Sequence, residues 1–178
     1  MNGNLILTGF SGTGKSHVGS VIACLHGLEF YDIDREIVKK SGRSIASIFE
    51  QEGEAHFRSL ESQELQRACS ASCAVVSTGA GAIINPDNYS VMTASGIIVC
   101  LDASPETINA RLRQAPGMGE KQEIRPLLAG ADPIKKIREL KAIRQTYYEL
   151  ADYTIQTDGL TVEGAAREIL KLWQQRST

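Results

Sequence analysis

Residues Gly9-Phe10-Ser11-Gly12-Thr13-Gly14-Lys15-Ser16 set three glycines, a lysine and a hydroxyl at the spacing G-x-x-x-x-G-K-[ST]. Glycines at those places let successive backbone N–H groups turn inward around a polyphosphate, and a helix starting there adds its positive end. Lys15 then reaches the β and γ phosphates and the Ser16 hydroxyl ligates a divalent cation. A glycine-rich turn with an incidental lysine would need no such context. Here the apolar run Leu5-Ile6-Leu7 precedes the motif and the helix-compatible stretch Val18 to Leu25 follows it, as phosphate binding requires.

Two further groups carry possible chemistry. Asp32 and Asp34 stand at the end of the second apolar run, in Tyr31-Asp32-Ile33-Asp34. Spaced i and i+2 on a strand, they point the same way: Asp32 suits a Mg²⁺ role, and Asp34 suits orienting or deprotonating a hydroxyl. A helix N-cap explains Asp34 equally well. Downstream, Arg58 lies four residues after Glu54 and three before Glu61, on one helical face. A guanidinium held in that way binds both oxygens of a carboxylate, whereas a solvated salt bridge is the alternative.

These residues need a scaffold, and the chain supplies a regular one. Strand-like runs at Leu5–Thr8, Leu28–Tyr31, Cys73–Thr78, Ile97–Leu101 and Tyr153–Ile155 alternate with helical patterns. The middle runs are nearly all apolar, as in a parallel sheet covered on both faces. Asn85-Pro86, Ser104-Pro105 and Asp132-Pro133 pair a capping side chain with proline at the first helical position, and Ser44 and Thr161 are further N-caps. The order βαβ(αα)βαβαβα predicts a doubly wound α/β fold with ligands at the carboxyl ends of the strands. Gln114 to Lys121, with two glycines and a proline, reads as a loop leading to Arg125, a lid over about residues 112–125.

With 178 residues, one domain is expected, and a net charge of −2 without basic runs argues against nucleic acid. No run is long enough for a membrane span and no signal segment is visible, so a cytoplasmic protein is expected; separately, a monomer is expected. Cys24, Cys69, Cys73 and Cys100 lack metal or disulfide spacing and read as reduced thiols, Cys24 and Cys100 inside elements and Cys69 and Cys73 more exposed. Asp102, after Ile97–Leu101, has the form of a second metal motif but is explained by the loop before Ser104-Pro105. His17 and His26 flank the first helix, and nothing in sequence pairs with His56.

Tyr31-Asp32-Ile33-Asp34, Ser41-Gly42-Arg43-Ser44-Ile45, Ile48-Phe49, Gly53-Glu54 to Phe57-Arg58 and Glu61 resemble the shikimate kinase family. So do Ser77-Thr78-Gly79-Ala80-Gly81-Ala82, Arg125-Pro126-Leu127-Leu128, and Arg144 followed by Tyr147, Tyr148, Glu149, Ala151 and Asp152. The resemblance spans nearly the whole chain. It implies a five-stranded parallel sheet flanked by helices, of the nucleoside-monophosphate-kinase type with a lid, and transfer of phosphate from ATP to the 3-hydroxyl of shikimate. The substrate-binding helical segment would be about residues 33–62. Lys15, Asp34 and Arg125 would be catalytic. Gly12, Thr13, Gly14, Lys15, Ser16, His17 and Arg125 would hold ATP, and Ser16 and Asp32 the Mg²⁺. Asp34, Arg58, Gly79, Ala80, Gly81 and Arg144 would hold shikimate, with Glu61 buttressing Arg58. Arg111 or Arg113 would reach the adenine. Alternatives are a kinase of another small acceptor, such as gluconate or a nucleotide, or a nucleotide-binding regulatory module without turnover. Joint presence of Lys15, Asp34, Arg58, Arg125 and Arg144 argues against the last. Two departures stand out: Ala80 replaces the middle of three family glycines, which is tolerated if its φ is negative, and Thr146 replaces a common proline.

Overall fold

The computed structural model describes residues 3–114 and 132–175. Five strands, β1 (Asn4–Gly9), β2 (Phe30–Asp32), β3 (Val75–Ser77), β4 (Gly96–Asp102) and β5 (Tyr153–Gln156), form one parallel sheet in the order β2-β3-β1-β4-β5. Seven helices connect or flank them among the described residues: α1 (Lys15–His26), α2 (Ile33–Ser41), α3 (Ile45–Cys69), α4 (Pro86–Ser95), α5 (Pro105–Gln114), α6 (Pro133–Tyr148) and α7 (Val162–Gln175). A 3₁₀ turn, Ala82–Ile84, precedes α4.

Burial on both faces explains why β1 and β4 read as continuous apolar runs. Leu5, Leu7, Val75, Val99 and Leu101 face α1 and α7, where they meet Val18, Ile22, Ile169 and Trp173. Ile6, Val76, Ile98 and Cys100 face the other layer, against Ile37, Leu65 and Met92. Every strand is parallel, so all carboxyl ends share one rim. Leu7 pairs with Ser77 and Ser77 with Asp32, which aligns the phosphate loop, the β3 exit and the β2 exit along that rim.

Helix starts follow the predicted caps. Ser44, Asn85 and Asp132 accept from the N–H of Ser47, Asp87 and Lys135, and Ser104 and Thr161 do the same for Thr107 and Gly164. The second strand differs from the sequence reading: it begins at Phe30, because Gly27 ends α1 in the left-handed region and the Leu28 N–H bonds back to Ala23. β3 likewise begins later, since Cys73 has a left-handed φ of 56°. The thiols also sort differently: Cys24 is exposed, Cys73 half-buried, and Cys69 and Cys100 buried. Among the described residues no helix is long and apolar enough to cross a membrane.

Candidate active site

α1 begins at Lys15 with Gly14 as N-cap (φ 101°) and no side-chain cap, and a helix start of this kind favours an anion. Gly9, Gly12 and Gly14 all have positive φ, the winding that the loop motif demands. The buried Lys15 folds back, its Nζ donating to Gly9 O and Phe10 O at 2.9 Å each. Those two carbonyls hold the ammonium at the loop mouth. Ser16 is half-buried beside it, while the His17 side chain is exposed.

On the nucleotide side, Arg111 and not Arg113 borders the loop. Arg111 Nη1 donates to Thr13 O (3.4 Å) and Thr157 Oγ1 (2.8 Å), and Nη2 to Thr157 O (2.6 Å). Arg113 is exposed. Asp102 is held by Lys141 Nζ at 2.7 Å and by Gln156, in keeping with a structural role. Thr157, which nothing in sequence singles out, also touches Thr13 O and Asp102 O.

The paired-aspartate geometry read from sequence is corrected. β2 ends at Asp32, and Asp34 lies in the first turn of α2, so the two are not alternate residues of a strand. Asp32 is the N-cap, its Oδ1 accepting from the Arg35 N–H at 3.2 Å. Asp34 is therefore relieved of the capping role and lies near the β3 exit: a methyl on Gly79 would sit 3.2 Å from Asp34 Oδ1.

The arginine of α3 is placed by a kink at Gly53 (φ 81°, ψ 172°), which separates residues 45–52 from 54–69. Arg58 Nε and Nη2 donate to Glu54 Oε1 (3.2 and 2.9 Å), and Nη1 donates to Glu61 Oε2 (2.8 Å). The two acids are energetically unlike. Glu54 is 53% exposed, so its pair is worth a few tenths of a kcal/mol. Glu61 is 1% exposed, and leaving it without Arg58 would strand a buried charge.

Gly79 and Gly81 sit closely under the ends of two side chains. A methyl on Gly79 would lie 2.0 Å from Glu61 Oε1, and one on Gly81 2.8 Å from Arg58 Nη1. Ala80 between them is not among the residues with positive φ, so its methyl is accommodated without strain. Ala80 O accepts from the Tyr148 hydroxyl at 2.8 Å. Burial raises the Tyr148 pKa far above the ordinary phenol range, which keeps the hydroxyl a neutral donor. One turn earlier on α6, the buried Arg144 stacks 5.6 Å from the centre of the Phe10 ring and interacts with both Tyr148 and Glu61. Arg58, Arg144, Asp34 and Glu61 thus surround the Gly79–Gly81 turn, next to the phosphate loop.

Arg125 and most of the proposed lid lie outside the described residues. His56 pairs with Glu52 at 3.1 Å and lines a groove between α2 and α3 with Lys40, Arg43 and Glu64, apart from the Gly79–Gly81 turn.

The shikimate kinase family model matches residues 11–174. A shikimate kinase of Caldanaerobacter subterraneus subsp. tengcongensis is 39% identical over 170 residues, covering 96% of this chain and 95% of the relative. The structure of shikimate kinase from Acinetobacter baumannii in complex with shikimate superposes with a TM-score of 0.89 at 37% identity, covering 98% of this chain and 94% of the other. Deoxyadenosine kinase from M. mycoides with bound dATP shares the fold alone, with a TM-score of 0.61 at 14% identity and coverage of 96% and 99%. With the family model spanning nearly the whole length and relatives matching end to end, the chain belongs to the shikimate kinase family.

Proposed function

We propose that the chain transfers the γ-phosphoryl group of ATP to the 3-hydroxyl of shikimate with Asp34, Lys15, Arg58 and Arg144 as its working side chains. The observation that carries this division of labour is the meeting of two guanidiniums and two carboxylates around Gly79–Gly81, beside the phosphate loop. Arg58 and Arg144 clamp the acceptor carboxylate, the task to which a planar fork is suited. Asp34 receives the proton of the attacking hydroxyl. Lys15 exchanges Gly9 O and Phe10 O for the β and γ oxygens, and Arg125, by its place in the family motif, neutralises the transferring group. Gly12, Thr13, Gly14, Ser16 and His17 bind phosphate through backbone N–H groups, and Arg111 lies along the adenine.

Among the described residues no cluster of three or more His, Cys, Asp or Glu forms a metal cage. That fits Mg²⁺, which is ordinarily held by substrate phosphates, waters and one or two protein oxygens. Ser16 would ligate it and Asp32 would lie in its outer sphere, where it supplies neutralisation of charge on the β and γ oxygens. Remaining catalysis is positioning and exclusion of water around the reacting oxygens.

A coupled ADP-release assay tests the acceptor. Shikimate is turned over, and quinate, gluconate and nucleoside monophosphates fall at least about a hundredfold lower in kcat/KM, because they leave a site polar group unpaired or misplace the carboxylate. Comparable turnover of gluconate or a nucleotide would overturn the assignment. The glycine turn offers a second check. Gly79→Ala drives a methyl onto Glu61 Oε1 and raises the KM for shikimate by about tenfold or more. Ala80→Gly relieves nothing and leaves kcat/KM within about threefold. Equal effects from the two substitutions would mean that the turn does not position the acceptor pocket.

A further inference from the structure

We propose that binding of shikimate is coupled to the uptake of one proton by Glu61, which makes Glu61 the proton-holding residue of the acceptor pocket; this rests on the reading of Arg58 and Arg144 as the carboxylate clamp. Glu61 Oε2 takes Arg58 Nη1, but Oε1 is buried and has no hydrogen-bond partner. Oε1 lies against Gly79, and a methyl built there would also approach Asp34 Oδ1. An ionised carboxylate with one orphaned oxygen is costly away from water, and a carboxylic acid is far less so.

The charges facing Glu61 come from three elements. Arg58 lies on α3 itself, with Glu54 behind it at the solvent edge. α2 supplies Asp34 and α6 supplies Arg144. Gly79, Ala80 and Gly81 carry no charge, and the Tyr148 hydroxyl is committed to Ala80 O. The next acid along α3, Glu64, is satisfied by Lys40 and Arg67. Two guanidiniums thus face two inner carboxylates. Arrival of the substrate carboxylate adds a third and claims hydrogen bonds from both arginines. One of these three, Asp34, Glu61 or the substrate acid, then has reason to take a proton. The substrate carboxylate is held by both arginines, and Asp34 must be ionised to accept the hydroxyl proton. Glu61 has the least water around it. Burial already pushes its pKa above the ordinary carboxylate range, Asp34 adds to the rise, and Arg58 and Arg144 pull against it.

The step is Glu61–COO⁻ plus a solvent proton giving Glu61–COOH, with formation of one O–H bond and no other change in bonding. Its consequence is that Arg58 keeps a hydrogen-bond partner while its charge is released to the substrate. A bound anion raises the Glu61 pKa further, so shikimate affinity increases as pH falls and weakens as pH rises through the window between the free and bound values.

Calorimetric titration of shikimate into the whole protein at pH 7, in buffers of different protonation enthalpy, reads the proton directly. Wild type takes up about half to one proton per shikimate, whereas the methyl ester of shikimate binds weakly with no uptake. Glu61→Gln binds shikimate with no uptake and with affinity independent of pH. Wild-type heats that do not depend on buffer overturn the inference and leave the clamp standing. Uptake that persists in Glu61→Gln puts the proton on another group and also overturns it. A methyl ester binding as tightly as shikimate removes the clamp, and the inference with it.

Discussion

Asp34→Asn lowers kcat by about two to four orders of magnitude with the fold intact, the usual cost of losing a positioned proton acceptor. Asparagine keeps the shape and hydrogen-bonding reach of the carboxylate but cannot take a proton from the acceptor hydroxyl. The substitution is clean because Asp32, and not Asp34, caps α2, so the helix start is untouched. Rapid-quench single turnovers at saturating ATP and shikimate, beside a thermal melt, separate chemistry from folding. Lys15→Ala produces a loss of similar size by removing the ammonium that follows charge onto the transferring group. An Asp34→Asn protein that turns over within about threefold of wild type would contradict the assignment of the base.

Arg58→Ala and Arg144→Ala each weaken shikimate binding by about thirty- to a thousandfold, equivalent to roughly 2 to 4 kcal/mol of charge-assisted hydrogen bonding in a partly desolvated site. ATP affinity changes little. The two variants differ in stability. Arg144 faces Phe10 and Tyr148, and its loss removes packing as well as charge, whereas loss of Arg58 also deprives Glu61, 1% exposed, of its hydrogen-bonded partner. Arg58→Ala therefore has the lower melting temperature, and combining it with Glu61→Gln recovers much of the difference without restoring affinity. Equilibrium binding and calorimetric melts of the single and double variants check both statements.

The motifs and the elements were unequally legible in the sequence, for physical reasons. A phosphate loop is local: eight consecutive residues, a strand before and a helix after contain the whole argument, and Gly9, Gly12 and Gly14 take the expected backbone conformation. Continuous apolar runs reveal a doubly covered parallel sheet for the same reason, and side-chain caps announce helix starts one residue away. Burial is different. Glu54 and Glu61 have nearly equivalent helical spacing from Arg58, yet one is half in water and the other almost wholly excluded, and only tertiary packing against Gly79 decides that. The capping ambiguity at Asp34 resolved in the same way, once β2 was seen to end at Asp32. Thr157 and Arg111 meet across 46 residues, and no periodicity encodes such a pairing. Arg144 entered through family resemblance alone, and its interactions with Tyr148 and Glu61 connect it to the turn at Ala80.

In the proposed mechanism Arg58 and Arg144 recognise the carboxylate of the acceptor. The most direct measurement compares the binding of shikimate and of its carboxylate-free analogue to wild type, Arg58→Ala and Arg144→Ala. The analogue binds wild type weakly and neither substitution changes its affinity by more than about threefold, while both sharply weaken shikimate. If the variants instead lose ATP affinity and bind shikimate as wild type does, the arginines serve the nucleotide and do not clamp the acceptor.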